Sequence, residues 1–198
     1  MDRLFRVVLA LPLFAACKGG DDGETSPAQR YCAAVETQQA SCGTASACDE
    51  AILTDCAGVT ALLNDAYVGE AATCVESGGG ALECLVDSRS AVAPSAAHQA
   101  FAASFCDNCA LGVDGCEETL FDTAESDLAV AGAIILPLGD SLVQRLQDEC
   151  TSGLTCLATF TSCAQGVLAE EAIPTDTLQC VVDGWISGDA GATTCGAG

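Results

Sequence analysis

Cysteine constrains this chain more than any other residue, because 15 of its 198 residues are cysteine. One, Cys17, follows an apolar N-terminal segment, and fourteen are spread over the rest of the sequence. An even number of cysteines in an exported chain indicates a disulfide framework, here of up to seven bridges. The connectivity stays open, since fourteen cysteines allow on the order of 10⁵ pairings. The fourteen are Cys32, Cys42, Cys48, Cys56, Cys74, Cys84, Cys106, Cys109, Cys116, Cys150, Cys156, Cys163, Cys180 and Cys195.

The first eighteen residues have the layout of a cleavable export signal. Arg3 and Arg6 form a basic region, residues 7–13 form a short apolar run, and two alanines precede Cys17. The alternatives are an uncleaved transmembrane anchor and a buried helix. A run of about ten apolar residues is half of the ~20 that span a bilayer, so a cleaved signal is favoured.

The stretch Leu13-Phe14-Ala15-Ala16-Cys17 resembles a bacterial lipobox, with phenylalanine where leucine is usual. The resemblance implies that residues 1–16 are a signal peptide and that Cys17 becomes the acylated N-terminus of the mature protein. Its partner would then be a membrane, because two acyl chains hold a protein stably at about 0.8 kcal/mol per buried methylene. By analogy with lipoprotein sorting, Lys18 after the cysteine favours the outer over the inner membrane.

Residues 17–30 are polar and rich in glycine and aspartate, which predicts a flexible acidic tether. Residues 31–198 follow as the cysteine-rich domain. The whole chain carries 28 acidic and 6 basic residues. Nucleic acid is therefore excluded as a partner, because binding it requires patches of Lys and Arg. The acidic residues are scattered, which is typical of a solvated surface.

The domain is predicted to be all-α, because alanine is its commonest residue and apolar positions recur at intervals of three and four. Ser46 and Asp49 predict a capping box at the start of one helix. This helix is expected to run through Ile52, Leu63 and Tyr67 and to end at residues 78–80. Further helices are expected over 82–92 and, capped by Ser95, over 96–106.

In the second half, Ser141 and Gln144 predict another capping box, opening a helix to Cys150. An apolar stripe marks the next helix. Cys156 and Cys163 share one face of it but stand about 10.5 Å apart, so each must bond a neighbouring element. The stripe consists of Leu154, Leu157, Phe160, Ala164, Val167 and Leu168.

Residues 82–88 and 178–184 have similar sequences, and the pairs Cys32/Cys42 and Cys106/Cys116 share one spacing. These matches suggest a disulfide-stapled array of helical hairpins with an internal duplication over 31–93 and 96–198. The lipobox, the acidic tether and the Ala-rich helices with regularly spaced cysteines together resemble the cysteine-rich lipoproteins of myxobacteria and related Gram-negative bacteria.

Two patterns suggest enzymes. Gly139-Asp140-Ser141-Leu142 resembles the nucleophile block of GDSL esterases, which would make Ser141 the nucleophile. No histidine follows Ser141, however, and a serine nucleophile needs a base within hydrogen-bond reach. Cys106 and Cys109 form a CxxC pair that could act as a thiol-disulfide oxidoreductase, but no βαβ pattern surrounds it.

Metal sites are not indicated. Zinc sites need paired CxxC or Cys/His spacings, and no acidic segment has the alternating spacing of a calcium loop. The single histidine, His98, is expected on a helix surface or at a satisfied edge, and Trp185 in a core. The sequence thus favours a lipid-anchored, non-catalytic envelope protein without a cofactor, serving as a structural or binding module for an envelope protein or extracellular ligand. Esterase and oxidoreductase are the alternatives.

Substitution of Cys17 tests the lipid anchor. The change Cys17→Ser should leave the precursor uncleaved and unacylated, because the acylated thiol is absent. Metabolic labelling with a fatty-acid probe measures the acylation. Undiminished labelling of the variant would contradict the lipoprotein hypothesis.

Overall fold

The computed structural model describes residues 25–42, 45–122, 128–153 and 156–190, and these residues form helices with no β-strand among them. The predicted all-α class is confirmed. The helices are α1 (Pro27–Cys42), α2 (Ala47–Thr54), α3 (Cys56–Ala61), α4 (Asp65–Glu76), α5 (Ala81–Asp87), α6 (Ala96–Asn108), α7 (Cys116–Thr119), α8 (Ala129–Ile135), α9 (Asp140–Cys150), α10 (Cys156–Leu168) and α11 (Thr175–Ser187), with a 3₁₀ turn (Ser88–Ala91) after α5.

The predicted capping box of α2 is confirmed. The hydroxyl of Ser46 accepts a hydrogen bond from the backbone N–H of Asp49 at 3.1 Å, and the Asp49 carboxylate accepts from the backbone N–H of Ser46 at 3.4 Å. The predicted cap of α6 is also confirmed, because the Ser95 side chain accepts from the backbone N–H of His98. Both caps satisfy N–H groups that the first helical turn leaves without a partner.

The single helix predicted from Ser46 through Tyr67 is wrong, because the chain breaks at Asp55 and again at residues 62–64. At the second break the chain pairs with residues 137–139. Gly139 donates its N–H to the Leu62 carbonyl at 2.8 Å, and Asn64 donates its N–H to the Pro137 carbonyl at 3.0 Å. This distant segment takes up backbone groups that a continuous helix would have bonded internally.

Residues 78–80 end helix α4 as predicted, and Gly79 is required there by packing. A Cβ at this position would overlap the sulfur of Cys84, which is bonded to Cys74. The helix expected over 82–92 is shorter than predicted: α5 ends at Asp87 and tightens into the 3₁₀ turn. Such turns are common at helix ends, and Pro94 prevents continuation of the helix.

The capping box predicted for Ser141 and Gln144 is wrong. Helix α9 begins at Asp140 with Gly139 as its N-cap, and no side chain caps it. The N–H of Gly139 donates a hydrogen bond to the Leu62 carbonyl. The pairing of residues 137–139 with residues 62–64 therefore positions the start of α9. Ser141 therefore lies inside the first turn, where its side chain is exposed.

Helix α10 buries most of its predicted apolar stripe: Phe160, Ala164, Val167 and Leu168 are buried. Leu157 is an exception at 40% exposure, and Leu154 lies outside the described residues. Phe160 packs edge-on against Phe105, with ring centroids 5.2 Å apart. Trp185 is buried in the core, as predicted.

Six disulfides connect these elements, and every cysteine whose side chain the structure describes takes part in one. Cys17 and Cys195 lie outside the described residues, as does the side chain of Cys42. Cys156 and Cys163 each bond a neighbouring element, as predicted. The pairs are Cys32–Cys56, Cys48–Cys180, Cys74–Cys84, Cys106–Cys116, Cys109–Cys156 and Cys150–Cys163.

The shared spacing of Cys32/Cys42 and Cys106/Cys116 does not correspond to shared pairing. Cys106 bonds Cys116, whereas Cys32 bonds Cys56. The internal duplication over 31–93 and 96–198 stays a prediction.

Removing individual disulfides should destabilise the domain according to the length of the loop each closes. Cys48–Cys180 joins residues 132 apart, and Cys74–Cys84 joins residues 10 apart. The loop-entropy relation gives a loss of unfolding free energy of about 5 kcal/mol for Cys48→Ala/Cys180→Ala and about 3 kcal/mol for Cys74→Ala/Cys84→Ala. Urea unfolding of the two double variants measures both losses. Equal losses, or a larger loss for the shorter loop, would contradict this expectation.

Candidate functional site

The CxxC cysteines do not bond each other. Cys106 pairs with Cys116 and Cys109 pairs with Cys156, with Cα atoms 5.8 and 5.0 Å apart. A dithiol oxidoreductase needs its two sulfurs to form a bond with one another in the oxidised state. In this structure the two sulfurs instead crosslink the C-terminal end of α6 to two other segments.

Ser141 and His98 share no hydrogen bond within the described part of the chain. The residue beside Ser141 does approach the histidine: an Asp140 carboxylate oxygen lies 3.9 Å from Nδ1 of His98. The structure thus brings the Gly139-Asp140-Ser141 turn close to the histidine but directs a different side chain toward it.

A cluster of Ser95, His98 and Asp140 was missed by sequence reasoning. The Ser95 hydroxyl lies 2.6 Å from Nδ1 of His98 and donates to the Asp140 carboxylate at 2.7 Å. Because the hydroxyl has one proton, it donates to one of these acceptors at a time. The signal in the sequence was the Ser95 cap, which places His98 three residues later, but only the fold adds Asp140.

His98 is buried, with 1% of its surface exposed, so its predicted place on a helix surface is wrong, although its polar atoms are satisfied. Its Nε2 lies 3.2 Å from the carbonyl of Ile135, which requires that this nitrogen has the proton. Nδ1 then accepts from the backbone N–H of Ser95 at 3.2 Å. Burial lowers the pKa of His98, while the Ile135 carbonyl and Asp140 oppose this effect. The cluster joins the starts of α6 and α9 around a neutral imidazole.

Residues 110–115, named the stapled loop here, connect α6 to α7 and form the second candidate site. The disulfides Cys106–Cys116 and Cys109–Cys156 hold both sides of this loop. Ala110 is buried at its base, and Val113 donates its N–H to the Ala110 carbonyl at 3.1 Å. Positive φ angles of 80° at Gly112 and 68° at Gly115 complete the turn, and glycine adopts this backbone region most readily. The loop is therefore restrained at its ends by disulfides and within its turn by a backbone hydrogen bond.

Exposed apolar side chains occur on the stapled loop. The large hydrophobic residues that are exposed in the described part of the chain are Leu111 at 69%, Val113 at 45% and Leu157 at 40%. Leu111 and Val113 belong to the loop, and Leu157 directly follows Cys156, which is bonded to Cys109. Exposed carboxylates line the same surface depression as Leu111 and Val113: Asp107, Asp114, Glu117 and Glu118.

Apolar residues rimmed by charge are the usual appearance of a surface that binds another protein. Sequence reasoning missed this site because Leu111 and Val113 alternate with no helical periodicity and Leu157 matched a core stripe. The disulfide partners, which the sequence leaves open, were the missing information.

No group of three or more His, Cys, Asp or Glu side chains is arranged to hold a metal ion among residues 25–42, 45–122, 128–153 and 156–190. Over the same ranges, none of the helices has the length and apolar character needed to cross a membrane. The lipidation site predicted at Cys17 lies outside the described residues.

No protein-family model, curated protein or solved structure matches this chain.

Burial of His98 predicts a pH dependence of stability. The folded state favours the neutral imidazole, whereas the unfolded chain protonates it near pH 6.5. Its contribution to stability is therefore full above about pH 6.5 and declines as the pH falls toward the lowered pKa of the folded state. His98 is the single histidine in the sequence, and histidine is the side chain whose ordinary pKa lies in this range, so a window from about pH 7.5 to 5.5 tests it.

Melting temperatures measured across this window should fall for the unsubstituted protein and stay nearly level for His98→Gln. The variant Gln39→Ala serves as a control for a lost hydrogen bond away from the cluster, and it should follow the unsubstituted protein. A fall of equal size in His98→Gln would show that another group titrates.

Proposed function

We propose that the protein is a lipid-anchored, non-catalytic binding module of the cell envelope and that the stapled loop is its binding surface. The lipid anchor rests on the lipobox resemblance around Cys17. Location outside the reducing cytoplasm is supported by the six disulfides, because such bonds persist in oxidising compartments.

The exposure of Leu111 and Val113 on one loop that two disulfides hold is the observation that supports the binding role most directly. Leaving a leucine in water forgoes about 1.5–3 kcal/mol of burial. Two disulfides restrain the loop. A partner that buries these side chains therefore has less conformational entropy to remove than on an unrestrained loop.

The rim of the loop indicates the chemistry of the partner. Asp107, Asp114, Glu117 and Glu118 line one surface depression with Leu111 and Val113, and the chain as a whole has a formal net charge of −22. A matching surface has an apolar depression flanked by Lys and Arg, so that opposite charges face each other at the rim. We therefore expect a basic protein surface as the partner.

Replacing the exposed apolar side chains of the loop should weaken binding without loss of stability. Leu111→Ser/Val113→Ser should change the unfolding free energy by less than about 0.5 kcal/mol, because both side chains are exposed. The same change should weaken partner binding by at least about tenfold if these residues are the centre of the interface.

A photo-crosslinking amino acid placed at position 111 in intact cells measures the contact. It should give one discrete adduct, which disappears after Asp114→Lys/Glu117→Lys because the rim charge is reversed. The same crosslinker at Glu36, an exposed position of α1, is the matched control. Equal adducts at positions 111 and 36, or an adduct that resists charge reversal, would contradict the proposed surface.

A further inference from the structure

A cavity of about 200 Å³ lies where the 3₁₀ turn, residues 120–122, helix α8 and the end of α11 meet. Most of its wall is apolar. Helix α8 packs so closely against Leu120 that a Cβ at Gly132 would overlap the carbonyl oxygen of Leu120. The apolar wall consists of Leu120, Phe121, Ala133, Leu136, Trp185 and Ile186.

One cation lines this apolar cavity, the guanidinium of Arg89. Its Nε donates to the carbonyl of Val86 at 3.1 Å, and its Nη1 donates to the carbonyl of Trp185 at 2.5 Å. These bonds hold the guanidinium plane in one orientation. A guanidinium has five N–H groups. Arg89 makes the two hydrogen bonds just given within the described residues, so three of its N–H groups remain for a ligand.

The charge of Arg89 is not neutralised by a carboxylate within salt-bridge distance in the described part of the chain. The other two arginines there form ion pairs: Arg30 with Glu76, and Arg145 with Glu149, Glu170 and Glu171. Burial lowers the pKa of Arg89, because it removes water from around the charge, while Tyr67 and Asp87 oppose this effect. A half-buried guanidinium whose acceptors are neutral carbonyls favours an incoming anion.

We propose that this cavity binds a small organic monocarboxylate with an apolar body, whose carboxylate accepts hydrogen bonds from Arg89. A cavity of about 150 Å³ is known to hold benzene, so the present one has room for a six-carbon ring or chain together with a carboxylate. Among the described residues Arg89 is the single cation of the cavity lining, and Asp122 also lines it, so a second carboxylate on the ligand would find no cation to pair with. This inference is independent of the stapled loop.

Isothermal titration of the mature full-length protein in detergent, with a micelle-only blank, tests the proposal with three probes at one ionic strength. Benzoate should bind at least tenfold more tightly than benzyl alcohol, which lacks the charge, and than phthalate, which has a second carboxylate. Absence of benzoate binding at millimolar concentration would overturn the proposal, as would equal binding of the neutral probe.

Two variants locate the site. Arg89→Gln should weaken benzoate binding at least tenfold and leave benzyl alcohol unchanged, while Arg30→Gln, which alters an exposed arginine, should change neither. Ala133→Leu fills the cavity and should abolish binding of both probes. Thermal melts check that each variant folds. If Arg89→Gln does not fold, benzoate binding to Ala133→Leu tests the proposal instead. Undiminished benzoate binding in either folded variant would overturn the proposal.

Discussion

The bond between Cys48 and Cys180 is the constraint on which the arrangement of the helices depends. It joins α2 to α11 across 132 residues of sequence, and α11 packs against α2, α5 and α8. Helices α11 and α5 pack so closely that a Cβ at Gly184 would come within 2.9 Å of a methyl carbon of Leu82. The last helix therefore closes the first half of the domain and forms one wall of the Arg89 cavity.

Buried polar side chains specify this packing as strongly as the apolar ones do. Trp185 donates from Nε1 to the Tyr67 hydroxyl at 3.0 Å, and Tyr67 in turn donates to the carbonyl of Leu85. Tyr31 donates to the carbonyl of Ala81 at 2.9 Å. Burial raises the pKa of Tyr31 and of Tyr67, so both hydroxyls keep their protons and remain donors. Because an unpaired buried donor costs about 1–3 kcal/mol, a shifted helix would lose these bonds without replacement.

The disulfides also offset the cost of so acidic a composition. Carboxylates repel one another in the folded state, and crosslinks that restrict the unfolded chain oppose that destabilisation. The stapled loop and the Arg89 cavity differ in charge: carboxylates line the loop, while the cavity is lined by a guanidinium that has no carboxylate within salt-bridge distance among the described residues.

The sequence by itself determined the helical class, the caps at Ser46 and Ser95, and the burial of Trp185, because each depends on residues within about one helical turn or on hydrophobicity alone. Only the tertiary structure decided the disulfide partners, the break at residues 62–64 and the burial of His98. These depend on contacts between segments far apart: the break on residues 137–139, and His98 on Ile135 and Asp140. The exposure of Leu157 and the position of Arg89 at a cavity follow from the same long-range packing, which no local pattern records.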